Sequence, residues 1–344
     1  MLQYLLRRLL LVIPTFLGIT IISFVVINLA PGGPIEQRLQ TIRFGGAMVE
    51  GGGKSSATTH ESGVSPEVLE ALNKQYGFDK PLYERYWIWL KNISRLDFGE
   101  SFTYQEPVMD VIVSKFPVSL QFGIASIILT YLVSIPLGIA KAVRAGTFFD
   151  TASGLILYAA YAVPPLVFGI FLITFFAGTR HYNWFPMGML YSDDYETLSS
   201  WGKISNRIHH FILPLACYML GGFTEISLLM RNSMLEVIKQ DYIRTARAKG
   251  LAENIVLYKH ALRNALIPLA TGLGGFFRVF LAGSLIVETV FQLDGIGSLS
   301  YKSILSRDYN VIMGLIFLSS VVLMLGRVFS DIVYVFIDPR IDFK

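Results

Sequence analysis

Apolar residues in this chain fall in long blocks. Leu9–Ala30 holds no charged residue over 22 positions. At roughly 1.5 Å rise per residue, a helix of that length crosses a hydrocarbon core about 30 Å thick. Comparable blocks lie at 118–140, 152–177, 211–230, 265–290 and 311–336. The pattern predicts an all-α, polytopic membrane protein with about six transmembrane helices and one extended polar segment, residues 31–117, after the first of them. Arg7 and Arg8 precede the first block as in a signal peptide. The apolar run is too long for a signal sequence and lacks a small-x-small cleavage site, so it reads as a retained anchor.

The polar segment divides in two. Residues 39–63, which include "FGGAMVEGGGKSSATTHESG", are rich in Gly and Ser without periodicity and read as a flexible insert. Residues 65–117 read as ordered, with Ser65-Pro66 as cap and first helical position. Tyr83, Tyr86, Leu90 and Ile93 recur at helical spacing beside Trp87 and Trp89, as in an amphipathic helix against the core or at the membrane interface.

Composition agrees. The 344 residues are 53% hydrophobic and 16% charged, against about 25% charged in an average soluble domain. The formal net charge of +4 is small, and its placement matters more. Arg7 and Arg8, then Lys141 and Arg144, then Arg231, Lys239, Arg244, Arg247, Lys249, Lys259 and Arg263, and finally Arg340 and Lys344 fall on one side if both termini are cytoplasmic. Residues 31–117 would then be external. The single cysteine, Cys217, excludes an intrachain disulfide and sits in an apolar run as a small buried hydrophobe.

Two motifs are decoys. "GGGKSS" at 51–56 has Met48 where a phosphate loop requires glycine, and no apolar strand precedes it. His209 and His210 are adjacent rather than at ligand spacing, so they read as interfacial histidines and not a metal site. No catalytic constellation is evident, and ATP hydrolysis is not expected of this chain.

The stretch between the fourth and fifth blocks, residues 241–264, is basic and locally helical. Tyr242–Lys249 is built from helix formers, and Gly250 suits a left-handed C′ residue. Helix resumes over 252–266, with Ile255, Tyr258 and Leu262 on one face and Lys259 and Arg263 on another. Small residues at Ala246, Ala248 and Ala252 would let another backbone approach. Two readings stay open on the residues alone: a basic helix on anionic lipid, or a dock for an acidic protein groove. Acidic residues dilute the bases, which argues against nucleic acid.

"YIRTARAKGLAENIVLYKHALRNALIP" resembles the coupling-loop signature of ABC-importer permeases of the dipeptide/oligopeptide class. The general form is E-A-A-x-x-x-G; here Arg244 stands in place of the glutamate, a departure the peptide class shares. "YLLRRLLLVIPTFLGITIISFVVINLAPGGP", "YGFDKPLYERYWIWL", "IPLGIAKAV", "GSLIVETVFQLDGIG", "SRDYNVIMG" and "DPRIDF" are similar to that family in order along nearly the whole chain. The insert, "RIHHFILPL" and the aromatic loop at 181–201 are most like its microcin C and peptide-uptake subgroup.

The resemblance implies an organisation: a first helix at 1–30, a periplasmic segment at 31–117 and a transport core at 118–344 carrying the coupling element 241–264. It implies a multi-pass bacterial inner-membrane subunit beside a second, homologous permease. Two cytoplasmic ABC ATPases would bind ATP and Mg, this chain holding no cofactor, and a periplasmic solute-binding protein would deliver the cargo. Tyr242, Arg244, Thr245, Ala246, Arg247, Lys249, Gly250 and Arg263 would then seat in an ATPase groove. The alternative from another class is a self-sufficient channel or secondary transporter.

Charges inside the apolar blocks cost about 2.5–3.5 kcal/mol each at the bilayer centre. Glu225 and Arg278 either face a translocation cavity or pair structurally, with each other or with the second permease. Glu288, in "IVETVF", matches the family pattern near an external gate, in a structural role. Arg327 and Asp331, at i,i+4, read as an intrahelical pair.

Overall fold

The computed structural model describes residues 2–29, 79–178, 181–272 and 284–337. The insert at 39–63, Ser65-Pro66, Arg278, the side chain of Asp331 and the middle of the 265–290 block lie outside the described residues.

The described chain is helical: α1 (Leu2–Leu29), α2 (Leu82–Ile93), α3 (Val108–Val143), α4 (Phe148–Ala162), α5 (Pro165–Leu172), α6 (Ser200–Ile238) and α7 (Asp241–Ala248). A mixed run follows, α8, made of an α turn (Glu253–Ile255), a π turn (Val256–Ala261) and a second α turn (Leu262–Ala265). Then come α9 (Ile267–Gly272), α10 (Leu285–Val290), α11 (Ile296–Leu305) and α12 (Tyr309–Ile337). Among the described residues there is no strand, only an isolated bridge between Glu100 and Pro107. The protein is an all-α polytopic membrane protein. Among the described residues four helices are long and apolar enough to span a membrane, and α4 with the run that follows it, Pro165–Ala177, is an apolar pair bent by 96°, a fifth if the pair counts as one span.

That bend corrects the reading of 152–177 as one continuous span. Pro164 and Pro165 follow Val163, whose φ −80° and ψ 120° leave the helical region, because a proline clashes with a helical residue before it. Two other spans run beyond their apolar blocks. α3 starts at Val108 rather than near 118, and α6 starts at Ser200, capped by the Ser199 side chain, rather than near 211.

The chain packs as two compact units. One comprises Leu11–Ser114 and Leu299–Ser320. Here Phe317 meets Phe16 and Phe98 edge-on at 5.4 and 5.3 Å. The amphipathic helix forms as α2, with Ile93 buried and Tyr86 and Leu90 half-buried. Tyr83 does not share that face: it is 78% exposed, and Trp89 instead packs with Tyr86 and Phe24. Asp308 is fully buried; its carboxylate accepts from the Ser101 hydroxyl, the Thr103 amide and the Val311 amide, the last capping α12. A Cβ on Gly314 would approach Val108 to 2.8 Å, so the small residue sets how closely α12 and the start of α3 pack.

The other unit comprises Met1–Leu10, Lys115–Ser298 and Val321–Lys344. The helices α3 and α6 pack in it almost backbone to backbone. A Cβ on Gly138 would sit 2.7 Å from the Ser227 carbonyl and 2.6 Å from the Met230 Cβ. Around that contact Ile139, Met230, Met234, Ile243, Val256, Leu257, Ala261 and Leu269 form one apolar cluster. Where this cluster lies within the bilayer, close van der Waals packing rather than the hydrophobic effect holds it together. A second cluster gathers Phe122, Leu213, Cys217, Val287, Phe291 and Leu293, with Phe211 stacked on Phe122 at 4.1 Å. Cys217 is buried there, as its apolar surroundings predict.

Candidate functional site

The basic stretch folds as a hairpin resting on the first apolar cluster. Gln240, in extended conformation (φ −69°, ψ 150°), turns the chain out of α6 and into α7. Ile243 and Ala246 of α7 point into the cluster, while Tyr242, Arg244, Thr245, Arg247 and Ala248 are exposed, as are Lys249 and Gly250 beyond the helix. Ala246 is therefore held by its own chain, and its small size serves internal packing rather than the approach of another backbone.

Gly250 ends the helix at φ +76°, the left-handed conformation its position predicts. A Cβ there would meet nothing within 4 Å, so the demand for glycine is conformational, not steric. Across this bend the Arg247 guanidinium donates to both oxygens of Glu253, at 2.7 and 3.1 Å. That pairing holds the Glu253 carboxyl below the usual carboxylate range and raises the Arg247 guanidinium. A second tie joins the arms where the Asn264 amide donates to the Tyr242 hydroxyl at 2.7 Å.

The returning arm presents a face different from the one its spacing predicts. Val256, Leu257, Ala261 and Ala265 are buried, whereas Ile255 and Tyr258 are exposed at 44% and 60%. The π turn at Val256–Ala261 takes an extra residue per hydrogen-bonded ring, so faces counted at 3.6 residues slip out of register. Lys259 and Arg263 are exposed. The hairpin thus offers Arg244, Arg247, Lys249, Lys259 and Arg263 on the surface of a braced frame.

Beside this frame lies an ion cluster that was not expected. Lys141, fully buried near the end of α3, sits 3.2 Å from Asp150 of α4 and donates to the Asp150 carbonyl and the Ser153 hydroxyl. Arg231 of α6 donates to both Asp150 oxygens at 2.6 and 2.7 Å. Lys141 and Arg231 read in the sequence as loop bases marking one side of the membrane. The nine-residue separation of Lys141 and Asp150 across a tight turn was the available signal for their pairing.

Glu288 is the centre of a second network. It is fully buried and accepts from the Ser119 hydroxyl (2.7 Å, α3), the Tyr218 hydroxyl (3.0 Å, α6) and the Ser298 amide (2.8 Å, α11). Ser119 in turn accepts from the Ile296 amide, and Tyr218 from the Ser284 amide. A Cβ on Gly295 would come within 2.6 Å of the Glu288 carboxyl. Nearby, the Met189 amide donates to the Phe291 carbonyl, and the His210 Nδ1 lies 2.8 Å from the Gly188 carbonyl. His210 is thereby tied to backbone. Glu225, by contrast, is exposed on α6, and the structure does not bring it together with Glu288.

Comparison with known proteins places this architecture. Residues 134–343 match the family described as "Binding-protein-dependent transport system inner membrane component". The chain is 43% identical to the peptidoglycan transport system permease protein YejB of Agrobacterium fabrum, over 99% of this chain and 98% of that protein. It is 39% identical to the inner membrane ABC transporter permease protein YejB of Escherichia coli O157:H7, over 99% of each. It is 36% identical to the oligopeptide transport system permease protein AppB of Bacillus subtilis, over the full length of both. With a family match over more than half of its length and relatives at 36–43% identity along the whole of it, the chain belongs to the family of binding-protein-dependent transport system inner membrane components.

Proposed function

We propose that this chain is one of two membrane subunits of an ATP-driven importer for peptides or peptide-like compounds. A second, homologous permease stands beside it, a solute-binding protein delivers the cargo from the periplasm, and two cytoplasmic ABC ATPases carry ATP and Mg. Both termini are cytoplasmic, and residues 31–117 are periplasmic. The relative named for oligopeptide transport supports the cargo class.

The single observation that carries the mechanism is the build of the hairpin. Tyr242, Arg244, Thr245, Arg247, Lys249, Gly250 and Arg263 are exposed on a frame whose other face, Ile243 and Ala246, is set into the core shared with α3 and α6. A displacement applied to the exposed face is therefore delivered to those spanning helices. Import requires exchange between two packings of similar energy, and the ATPases bias that exchange only through contacts that differ between the two. Arg and Lys on a rigid helix suit an acidic ATPase groove. Glu225 and Arg278 contribute charge to the translocation path, and the Glu288 network holds the external gate.

The test is uptake into vesicles carrying both permeases. ATP-dependent accumulation of a labelled tripeptide that needs added ATPase subunits and delivery protein is expected. Accumulation by this chain alone would overturn the reading in favour of a self-sufficient transporter.

A further inference from the structure

The exposed faces of the spanning helices differ in chemistry. On α3 they are Ile124, Ile128, Leu132, Val133 and Pro136, and on α4 Leu155 and Ile156 stand out: apolar surfaces that suit lipid. The half of α6 nearer Arg231 is different. Its exposed positions at successive turns are Gly221, Glu225, Leu229 and Asn232. Glu225 lies six residues from Arg231, about 9 Å along the axis, inside the apolar block 211–230. A carboxylate at that depth is costly against lipid, and with Asn232 exposed two turns on, and only Leu229 apolar between them, this face suits water or a polar partner better than lipid.

Two further observations shape the site. Gly221 and Gly222 are adjacent in a helix interior, where each costs about 1 kcal/mol relative to Ala. Gly222 is accounted for by packing, since its Cβ would lie 3.1 Å from the Thr130 methyl. Gly221 is not: a Cβ there would meet nothing within 4 Å. Its missing side chain leaves a notch one turn from the carboxylate. Across from it on α3, Tyr131 follows Thr130, which meets Gly222, and a Cβ on Gly272 of α9 would stand 3.9 Å from the Tyr131 hydroxyl. A carboxyl oxygen pair beside an uncrowded notch suits a primary ammonium group, whose donors need acceptors and whose bulk needs room.

We infer that the Gly221–Glu225–Asn232 stripe lines the passage and that Glu225 seats the protonated terminal amine of the passing solute. The inference rests on the peptide-import reading above and narrows it: cargo with a free amine is held at this point, and amine-blocked cargo is not.

Equilibrium binding of labelled trialanine and of N-acetyl-trialanine to the whole transporter complex in nanodiscs, without delivery protein, tests it. The wild-type complex is expected to bind trialanine about tenfold more tightly than the acetylated form. Glu225→Gln should bring the two within about twofold, and Glu225→Asp should keep part of the preference. A preference that survives Glu225→Gln would seat the amine elsewhere and overturn the inference, as would a wild type with no preference. A Glu225→Gln variant that no longer co-purifies with the second permease would make Glu225 an interface residue and overturn it equally. If neither peptide binds the wild type or accelerates its ATP hydrolysis, the peptide-import reading itself falls, an outcome distinct from the others.

Discussion

Arg247 and Glu253 clasp across Gly250, two hydrogen bonds bridging a left-handed residue with open space around it. Bend and clasp together fix the angle between the two arms of the hairpin, and that angle determines where the exposed bases stand.

Replacing Gly250 by Val puts a β-branched side chain at φ +76°. Left-handed backbone costs an ordinary residue about 1–2 kcal/mol, and the chain relieves this by shifting the bend. Normal membrane insertion with lost ATP-coupled uptake is expected. Gly250→Asn, which tolerates that conformation better, should retain part of the activity. Full uptake by Gly250→Val at normal expression would refute the role of the bend.

The Arg247–Glu253 clasp sets a pH dependence. Its hydrogen bonds lower the Glu253 carboxyl pKa in the folded chain, so the clasp is complete above the unfolded glutamate value, about 4.3. It is lost as pH falls through the lower folded value. ATPase coupling between pH 5.5 and 8 should therefore not vary on account of this pair. Arg247→Glu should uncouple transport, and the swap Arg247→Glu with Glu253→Arg should restore part of it. Uptake and ATP hydrolysis measured together check both statements.

Asp150 holds two cations, Lys141 and Arg231, at the junction of α3, α4 and α6. Asp150→Ala leaves the buried Lys141 ammonium without its counter-charge, a change that costs about 3–5 kcal/mol. A fall of many degrees in the thermal midpoint of the detergent-purified complex is expected. Adding Lys141→Met should recover much of the loss, because the unpaired charge is then gone. A midpoint unmoved by Asp150→Ala would show that the cluster contributes nothing.

At the Glu288 network, Glu288→Gln keeps acceptors for some of the donors, whereas Glu288→Ala leaves the Ser119, Tyr218 and Ser298 groups buried and unmet. Unsatisfied buried groups cost about 1–3 kcal/mol each, so Ala should destabilise the complex clearly more than Gln. Gly295→Ala should resemble Glu288→Ala, since its Cβ would press on the same carboxyl. Thermal midpoints of the three variants decide the order.

Four of the spanning blocks were legible in the chain because hydrophobicity over about 20 residues is a local property with one cheap answer in a bilayer. Gly250 was legible for a related reason: a left-handed residue is a demand on one position, and glycine meets it. The turn at Pro164-Pro165 was written in the chain too, but an unbroken apolar block concealed it.

What pairs across helices was decided only in three dimensions. Lys141 and Arg231 looked like solvated bases until α3, α4 and α6 closed around Asp150. The resemblance singled out Glu288 in a structural role, but its partners Ser119, Tyr218 and Ser298, which converge on it from three elements, were not legible in the chain. The buried face of the returning arm depended on a π turn that a 3.6-residue period does not encode. A buried polar atom must find its partner wherever the fold places one. Composition along the chain therefore determined which segments enter the membrane, and only tertiary contact determined which of their polar groups meet.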